Sequence, residues 1–295
     1  MLLKKLANLT LLLIFIPLLS GLTAHTARAA EAARVIRYPR LSAMVDPQSE
    51  YMLEILRLAI KSSGQAYQLQ PSDAPMQQAR AIYEMASGQG KVDLLWTMST
   101  DEREAQLLPI RIPIDKGLIG WRVALLTAGN KAMFKNVRSV KELAAFTAGQ
   151  ELDWPDVGIL KSNGLPVSTS TSYEPLFTML GAGRFDYFPR SVFEVQNEVD
   201  AHPGQNLHID THILLYYPSA LYFFVTPRDP KMAEDLQNGL EEMIRNGSFE
   251  KIFQRFQQNF IRNLNLRQRT VIALRNPLLS PDKMPLNRPE LWFKP

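Results

Sequence analysis

Apolar positions recur along this chain in two alternating rhythms. Short apolar runs bounded by glycine, proline or polar residues read as buried strands. Longer stretches with apolar residues three and four apart read as helices with one buried face. Arg34-Val35-Ile36-Arg37-Tyr38 is a strand that ends at Pro39. Residues 51–62 are a helix on the spacing of Leu53, Leu56 and Ile60 with Met52, Ile55 and Ala59, and Gly64 stops it. Tyr67-Gln68-Leu69 is a second strand and 76–86 a second helix; the turn Gly88-Gln89-Gly90 then leads into the strand Val92-Asp93-Leu94-Leu95-Trp96. This βαβαβ order implies a mostly parallel sheet covered by helices.

Residues 110–114 and 118–126 are extended, and the latter reads as a first crossover into another lobe. A short helix at 140–146, with Ser139 as its N-cap, opens a second α/β set. There the strands are Val157-Gly158-Ile159-Leu160, Phe185-Asp186-Tyr187-Phe188 and Leu207-His208-Ile209, and the helices 174–180 and 191–199. Residues 214–225 read as one long apolar return, followed by helices at 230–246 and 248–260. The fold class expected is α/β, with two lobes, each a mostly parallel sheet flanked by helices, joined by two crossover strands. The lobes are assigned as 30–123 with 220–295, and 124–219, with a cleft between them of the kind that closes on ligands. The proline-rich tail at 262–295 is expected to be an extended clasp, anchored across the first lobe by Leu278, Leu279, Leu291, Trp292 and Phe293.

The first residues change the picture of where the chain works. Lys4 and Lys5, the apolar stretch 9–19 and Ala27-Arg28-Ala29 read as a secretory signal cleaved after Ala29. An uncleaved anchor is the competing reading. Removing Lys4, Lys5 and Arg28 from the 33 basic residues leaves 30 against 29 acidic ones. That balance argues against a nucleic-acid binder, which would carry a basic stripe. The chain has no cysteine, which excludes disulfides, thiol nucleophiles and a lipid-modified cysteine. The remaining length is enough for two lobes with real cores. Localisation outside the cytoplasm, in the periplasm, is the expectation, and the protein is expected to be a monomer.

Candidate chemistry gathers where the strand at 92–96 ends, in Thr97-Met98-Ser99-Thr100-Asp101-Glu102-Arg103. Ligands of open α/β sheets sit beyond the carboxyl ends of the strands. An arginine there suits a carboxylate because its planar fork donates two parallel hydrogen bonds.

Thr100-x-x-Arg103, after Gly90-x-x-Asp93, is similar to the first-lobe motif of bacterial extracellular solute-binding proteins of family 3, the periplasmic binding proteins of type II. Gly183-Arg184-Phe185-Asp186 resembles the second-lobe Gly-x-x-Asp strand of that family, and Asn246-Gly247-Ser248-Phe249-Glu250-Lys251-Ile252 its C-terminal helix entry. The likeness covers about 33–260, and other segments look like a less characterised branch. It implies a receptor that closes on a small solute for an ABC permease, with Arg103 on a ligand carboxylate or similar anion. Amino-acid receptors of the family place an Asp where this chain has Ser191, preceded by Arg190. Two arginines in the cleft would favour an anionic solute, amino-acid-like, dicarboxylate or related.

Each candidate has a plainer reading beside it. Arg103 could pair with Glu102 or Glu104 on a solvated helix start, and Arg190 with Glu194 four residues on. Ser99 and Thr100 could bind ligand, cap the next helix, or both. Trp96 is read as cleft wall, with Tyr38 and Phe188 as wall or core. Asp93 and Asp186 are read as structural, accepting backbone N–H bonds. Trp154-Pro155-Asp156 is read as a packed turn before a strand. His208, Asp210 and His212 could share a strand face, but no second shell accompanies them and no metal or other cofactor is expected. No Ser-His-Asp arrangement points to an enzyme. The alternatives to uptake are a sensor feeding a membrane signalling partner and, less favoured, a periplasmic enzyme on the same scaffold.

Overall fold

The computed structural model describes residues 33–40 and 47–295. The expected signal at 1–29 lies outside the described residues. The chain opens with β1 (Arg34–Tyr38), α1 (Pro47–Ser63), β2 (Tyr67–Pro71), α2 (Gln78–Ser87), β3 (Leu94–Met98), α3 (Asp101–Gln106) and β4 (Leu108–Ile110). It continues with β5 (Trp121–Thr127), α4 (Val140–Leu143), β6 (Ala148–Glu151), α5 (Pro155–Ser162), β7 (Val167–Ser170), α6 (Pro175–Gly181), β8 (Phe188–Ser191), α7 (Val195–Ala201), β9 (Leu207–Ile209) and β10 (Ile213–Tyr216). It closes with β11 (Leu221–Val225), α8 (Pro230–Arg245), α9 (Ser248–Phe260) and β12 (Thr270–Ala273).

Two sheet systems follow from this order. In the first, β1 and β2 pair in parallel, while β11 returns antiparallel between β3 and β4. In the second, β6 and β7 pair in parallel, and β5 runs antiparallel to β8, β9 and β10. The parallel pairs belong to βαβ units, and the antiparallel ones to the crossover strands that leave and re-enter a lobe. Strands β3 and β11 are buried at every residue, which explains their near-continuous apolar sequences. Both Gly-x-x-Asp aspartates tie neighbouring segments together. Asp93 Oδ2 accepts from Arg37 N at 2.8 Å, and Asp186 Oδ2 accepts from Thr147 N at 2.7 Å. Each does the structural work read for it from sequence.

Several elements differ from the sequence reading. Residues 157–160, expected as a strand, lie in α5. Pro155 at the helix start fixes φ and needs no N–H partner there. Ile159 and Leu160 then face the core. The strand is instead β6, whose buried Gln150 and Glu151 broke the apolar signal. Strand 185–188 is displaced to β8, so Ser191 ends a strand instead of starting a helix. The single return expected over 214–225 is two strands, β10 in the second sheet and β11 in the first. Pro218, with no N–H for a ladder, sits at the break. The tail, read as a clasp on the first lobe, also adds β12 in parallel to β10 of the second sheet.

Helices α1 and α8 cover the first sheet system. Met52, Ile55, Leu56 and Ala59 on α1 and Leu236, Leu240 and Met243 on α8 are fully buried. Gly239 lets the axes approach: a Cβ there would lie 2.0 Å from the Ala59 carbonyl oxygen. Gly239→Ala should therefore destabilise the fold by about 1–3 kcal/mol, as overpacking against a backbone atom does, measured by chemical denaturation.

The first crossover begins with a turn built on Asp115, which is 0% exposed. Its carboxylate accepts from Gly117 N at 2.9 Å and Ile119 N at 2.6 Å. Burial pushes its pKa up to about 7, the backbone bonds opposing that rise. An acid raised in this way stabilises the fold below its unfolded pKa of about 4 and loses that contribution as pH rises through the folded value. The thermal midpoint should fall between about pH 4 and pH 7 by an amount that Asp115→Asn removes; equal pH profiles for both proteins would contradict this.

Candidate functional site

Strand β3 hands its chain to α3 through Ser99 and Thr100. Thr100 caps the helix, its Oγ1 accepting from Arg103 N at 3.1 Å. Ser99 is fully buried and donates to Glu104 Oε1 at 2.6 Å. The short helix turns the Arg103 side chain back along β3. Nη1 donates to Thr97 Oγ1 at 2.7 Å and to the Met98 carbonyl at 2.8 Å, and Nη2 donates to Gln78 Oε1 at 2.7 Å. Arg103 is 7% exposed. Among the described residues, no carboxylate lies within ion-pair distance of it. Burial holds its pKa down at about 10, with the fields of Asp156, Glu102 and Asp153 acting the other way. It therefore stays charged at neutral pH with neutral groups as hydrogen-bond partners.

Arg103 is one of the residues that line a cleft of about 470 Å³. Thr100, Asp101, Glu102 and Arg103 form one side; Leu152, Asp153, Trp154, Pro155, Val157 and Gly158 form the other; Pro277 and Leu278 enter from the tail. The cleft thus lies between the start of α3 and the start of α5, with Asp101, Glu102 and Asp153 as its carboxylates.

Of the residues predicted for the site, Thr100 and Arg103 come together on this wall. Trp96 instead packs inside the first lobe, its ring centroid 6.1 Å from Tyr38 and 6.4 Å from Phe223. Phe188 is fully buried between Trp154 and Phe177. Ser191 donates to the Leu118 carbonyl at 3.1 Å and is fully buried. Trp154, Asp153, Glu102 and Leu278 line the cleft without having been singled out for it. The strand assigned to 157–160 hid that α5 begins at its edge. Leu278, read from the sequence as an anchor of the tail on the first lobe, also reaches this cleft.

Arg190 is the main departure from the expected cleft. Its Nε donates to both oxygens of Glu198 at 2.8 and 2.9 Å, and Nη2 lies 2.9 Å from Glu194 and 2.6 Å from Glu198. The guanidinium carbon sits 4.6 Å from the Trp154 ring centroid and 4.8 Å from that of Phe188. Burial pulls its pKa down, but Glu194 and Glu198 outweigh this and hold it above the ordinary value. The plainer reading, a salt bridge to Glu194, describes the side chain, which does not offer a second free arm to a ligand. Arg122 extends the network, 2.9 Å from Asp156 and 3.5 Å from Glu194, and Asp156 accepts from Tyr217 Oη. Asp210 is likewise committed, accepting from His212 Nδ1 at 2.9 Å and from two backbone N–H groups.

No protein-family model and no curated protein matches this chain. Solved structures do. An ancestral arginine-binding protein bound to arginine is 17% identical, with a TM-score of 0.57 over 77% of this chain and 98% of that one. A Salmonella typhimurium periplasmic binding protein of high arginine specificity is 15% identical, with a TM-score of 0.57 over 78% and 100%. The VFT2 domain of Bordetella pertussis BvgS is 17% identical, with a TM-score of 0.58 over 76% and 93%. A histidine kinase sensor domain similar to periplasmic binding proteins is 14% identical, with a TM-score of 0.56 over 76% and 96%.

Removing one partner of the Arg190 network should leave an uncompensated buried charge. Glu198→Gln is expected to cost about 3–5 kcal/mol in unfolding free energy, the usual effect of breaking a buried ion pair. A loss below about 1 kcal/mol, typical of a solvated pair, would show that the network is wetter than its burial indicates. With its lobes, crossovers and closing helices in place, the chain has the two-lobed fold of the type II periplasmic binding proteins.

Proposed function

We propose that this protein is a solute-binding receptor whose lobes close on a small molecule carrying one carboxylate or similar anion, held by Arg103. The observation that carries this reading is a buried guanidinium, on a residue that lines the cleft, whose hydrogen-bond partners are Thr97, Met98 and Gln78, all uncharged. A ligand carboxylate would give that cation an opposite charge in a poorly solvated place, where charge-assisted bonds are strong. The dianion expected from two free arginines loses its second arm, because Arg190 is enclosed by Glu194 and Glu198. Carboxylates on both cleft sides instead favour a solute whose other end is neutral or positive. The ligands named for similar structures, arginine, glutamine and lysine, have this form.

The same reading places the mature protein outside the cytoplasm, released by cleavage near Ala29. A membrane partner would read the closed state. Uptake through a permease is the leading role, and a sensory role has support because sensor domains stand among the similar structures. The proposed lobe boundaries at 123/124 and 219/220 fall within β5 and just before β11.

Two measurements test the ligand assignment. Mass spectrometry of small molecules released on denaturing the purified protein should identify a monocarboxylate. Calorimetric titration with the compound identified should show Arg103→Ala weakening binding by about 2 kcal/mol or more, the cost of losing a charge-assisted partner. Unchanged affinity in a folded variant would remove Arg103 from the site, and preferential binding of a dicarboxylate would overturn the charge argument.

A further inference from the structure

The tail crosses from one lobe to the other over very few residues. On the second lobe, β12 adds to β10, Leu274 N donates to the Tyr216 carbonyl at 2.7 Å, and Asn163 and Arg275 exchange two bonds at 2.8 and 3.0 Å. On the first lobe, Asp101 N donates to the Leu278 carbonyl at 2.7 Å. The Asp101 carboxylate accepts from Ser280 Oγ at 2.9 Å and lies 2.8 Å from Lys283 Nζ. Further along, Arg288 pairs with Glu241 on α8, and Phe293 N donates to the Lys116 carbonyl at 2.7 Å.

Chain length turns these contacts into a mechanical limit. The step from Arg275, the last residue whose backbone is bonded to the second lobe, to Leu278 is three residues, which reach at most about 11 Å when fully extended. While both ends are held, that reach bounds how far the lobes separate at this point. Releasing Asp101 moves the next first-lobe anchor in the described tail to Lys283, whose carbonyl accepts from Tyr222 Oη at 3.2 Å. The free span from Arg275 then grows to eight residues, or about 28 Å. The two ends are unequal. The β12 end rests on a strand ladder, whereas the Asp101 end rests on one backbone bond and partly exposed side chains, Asp101 44% and Lys283 30% exposed.

We infer that the tail is a strap across the cleft and that the Asp101–Leu278–Ser280–Lys283 contacts are its latch, which sets how far the lobes open. Asp101 and Leu278 are also cleft-wall residues, so the latch lies where a solute enters. The inference concerns lobe separation alone and stands whether or not Arg103 binds an anion.

The absence of cysteine makes a clean test possible. Spin labels on Lys61→Cys in α1 and Lys141→Cys in α4, both exposed positions on different lobes, report the interlobe distance by pulsed electron spin resonance. With the strap latched, the full chain without added solute should give one narrow distance distribution. Ser280→Ala with Lys283→Ala should add a longer-distance population at least several-fold above the parent level. Lys283→Gln alone, a milder change at an exposed side chain, should shift it in the same direction. Cooperative thermal unfolding, followed by circular dichroism, establishes that each variant is folded. Folded variants with the parent's distribution, or a parent already as broad as the variants, would overturn the strap.

Discussion

A buried cation surrounded by neutral acceptors is the constraint on which the functional reading turns. Arg103 is as enclosed as a core residue, yet its partners are a threonine hydroxyl, a carbonyl and a glutamine amide. Desolvating a guanidinium costs free energy that neutral hydrogen bonds offset only in part. The second sheet system handles the same problem differently. Arg190 and Arg122 share Glu194, and each has a further carboxylate, Glu198 and Asp156 respectively. The second sheet system therefore contains arginines, Arg122 on β5 and Arg190 on β8, whose carboxylates complete their charge balance. The first sheet system holds an arginine whose hydrogen-bond partners are all neutral.

The geometry around Arg103 follows from local chain chemistry. Thr100 stops β3 and caps α3, so Arg103 falls one turn into a helix that begins at the strand's end. Its side chain then runs back toward the helix start, the direction helical side chains take. Gln78, the first residue of α2, completes the cradle from a separate βα unit. A flexible arginine is thus fixed in place by the chain itself, so that under the proposed reading less side-chain entropy remains to be lost on binding.

What could be read from the sequence was what local pattern encodes. Helix α1, strand β3 and the two aspartates Asp93 and Asp186 were legible, because apolar spacing and turn chemistry act within a few residues. Thr100 and Arg103 were legible as a pair for the same reason. The fate of Arg190 was open, since Glu194 lies at helical spacing from it but the three rings around it are Trp154 at the N-cap of α5, Phe188 in β8 and Tyr173 in the loop before α6. Strand β6 was missed because Gln150 and Glu151 are buried polar residues, which the apolar pattern does not register. Strand β12 was missed because its burial depends on β10, some fifty residues earlier in the chain, and its own exposed positions carry no period-two apolar signal. The tail was legible in part, its prolines and Leu278 reading as a clasp on the first lobe, but that the Leu278 carbonyl meets Asp101 is a tertiary fact.

Charge counting around the cleft decides what sort of attraction a solute would feel. Arg122 and Arg190 are paired with Asp156, Glu194 and Glu198, so that with Arg103, which has no ion pair among the described residues, three positive groups stand against three negative. Asp101 is matched by Lys283, which leaves Glu102 and Asp153 on the cleft walls without an opposite charge of their own in this count. The long-range field at the mouth is then no help to an anion, and at physiological salt it fades within about 8 Å in any case. Selection must come at contact distance, where Arg103 is desolvated and its donors are aligned. A solute gains there only if its anionic group reaches the guanidinium while the rest of it keeps clear of, or pairs with, the wall carboxylates. Two basic residues side by side in a sequence do not reveal such a site. The side-chain partners decide it: a guanidinium already paired with two glutamates adds little field, and one cradled by neutral groups remains to be neutralised.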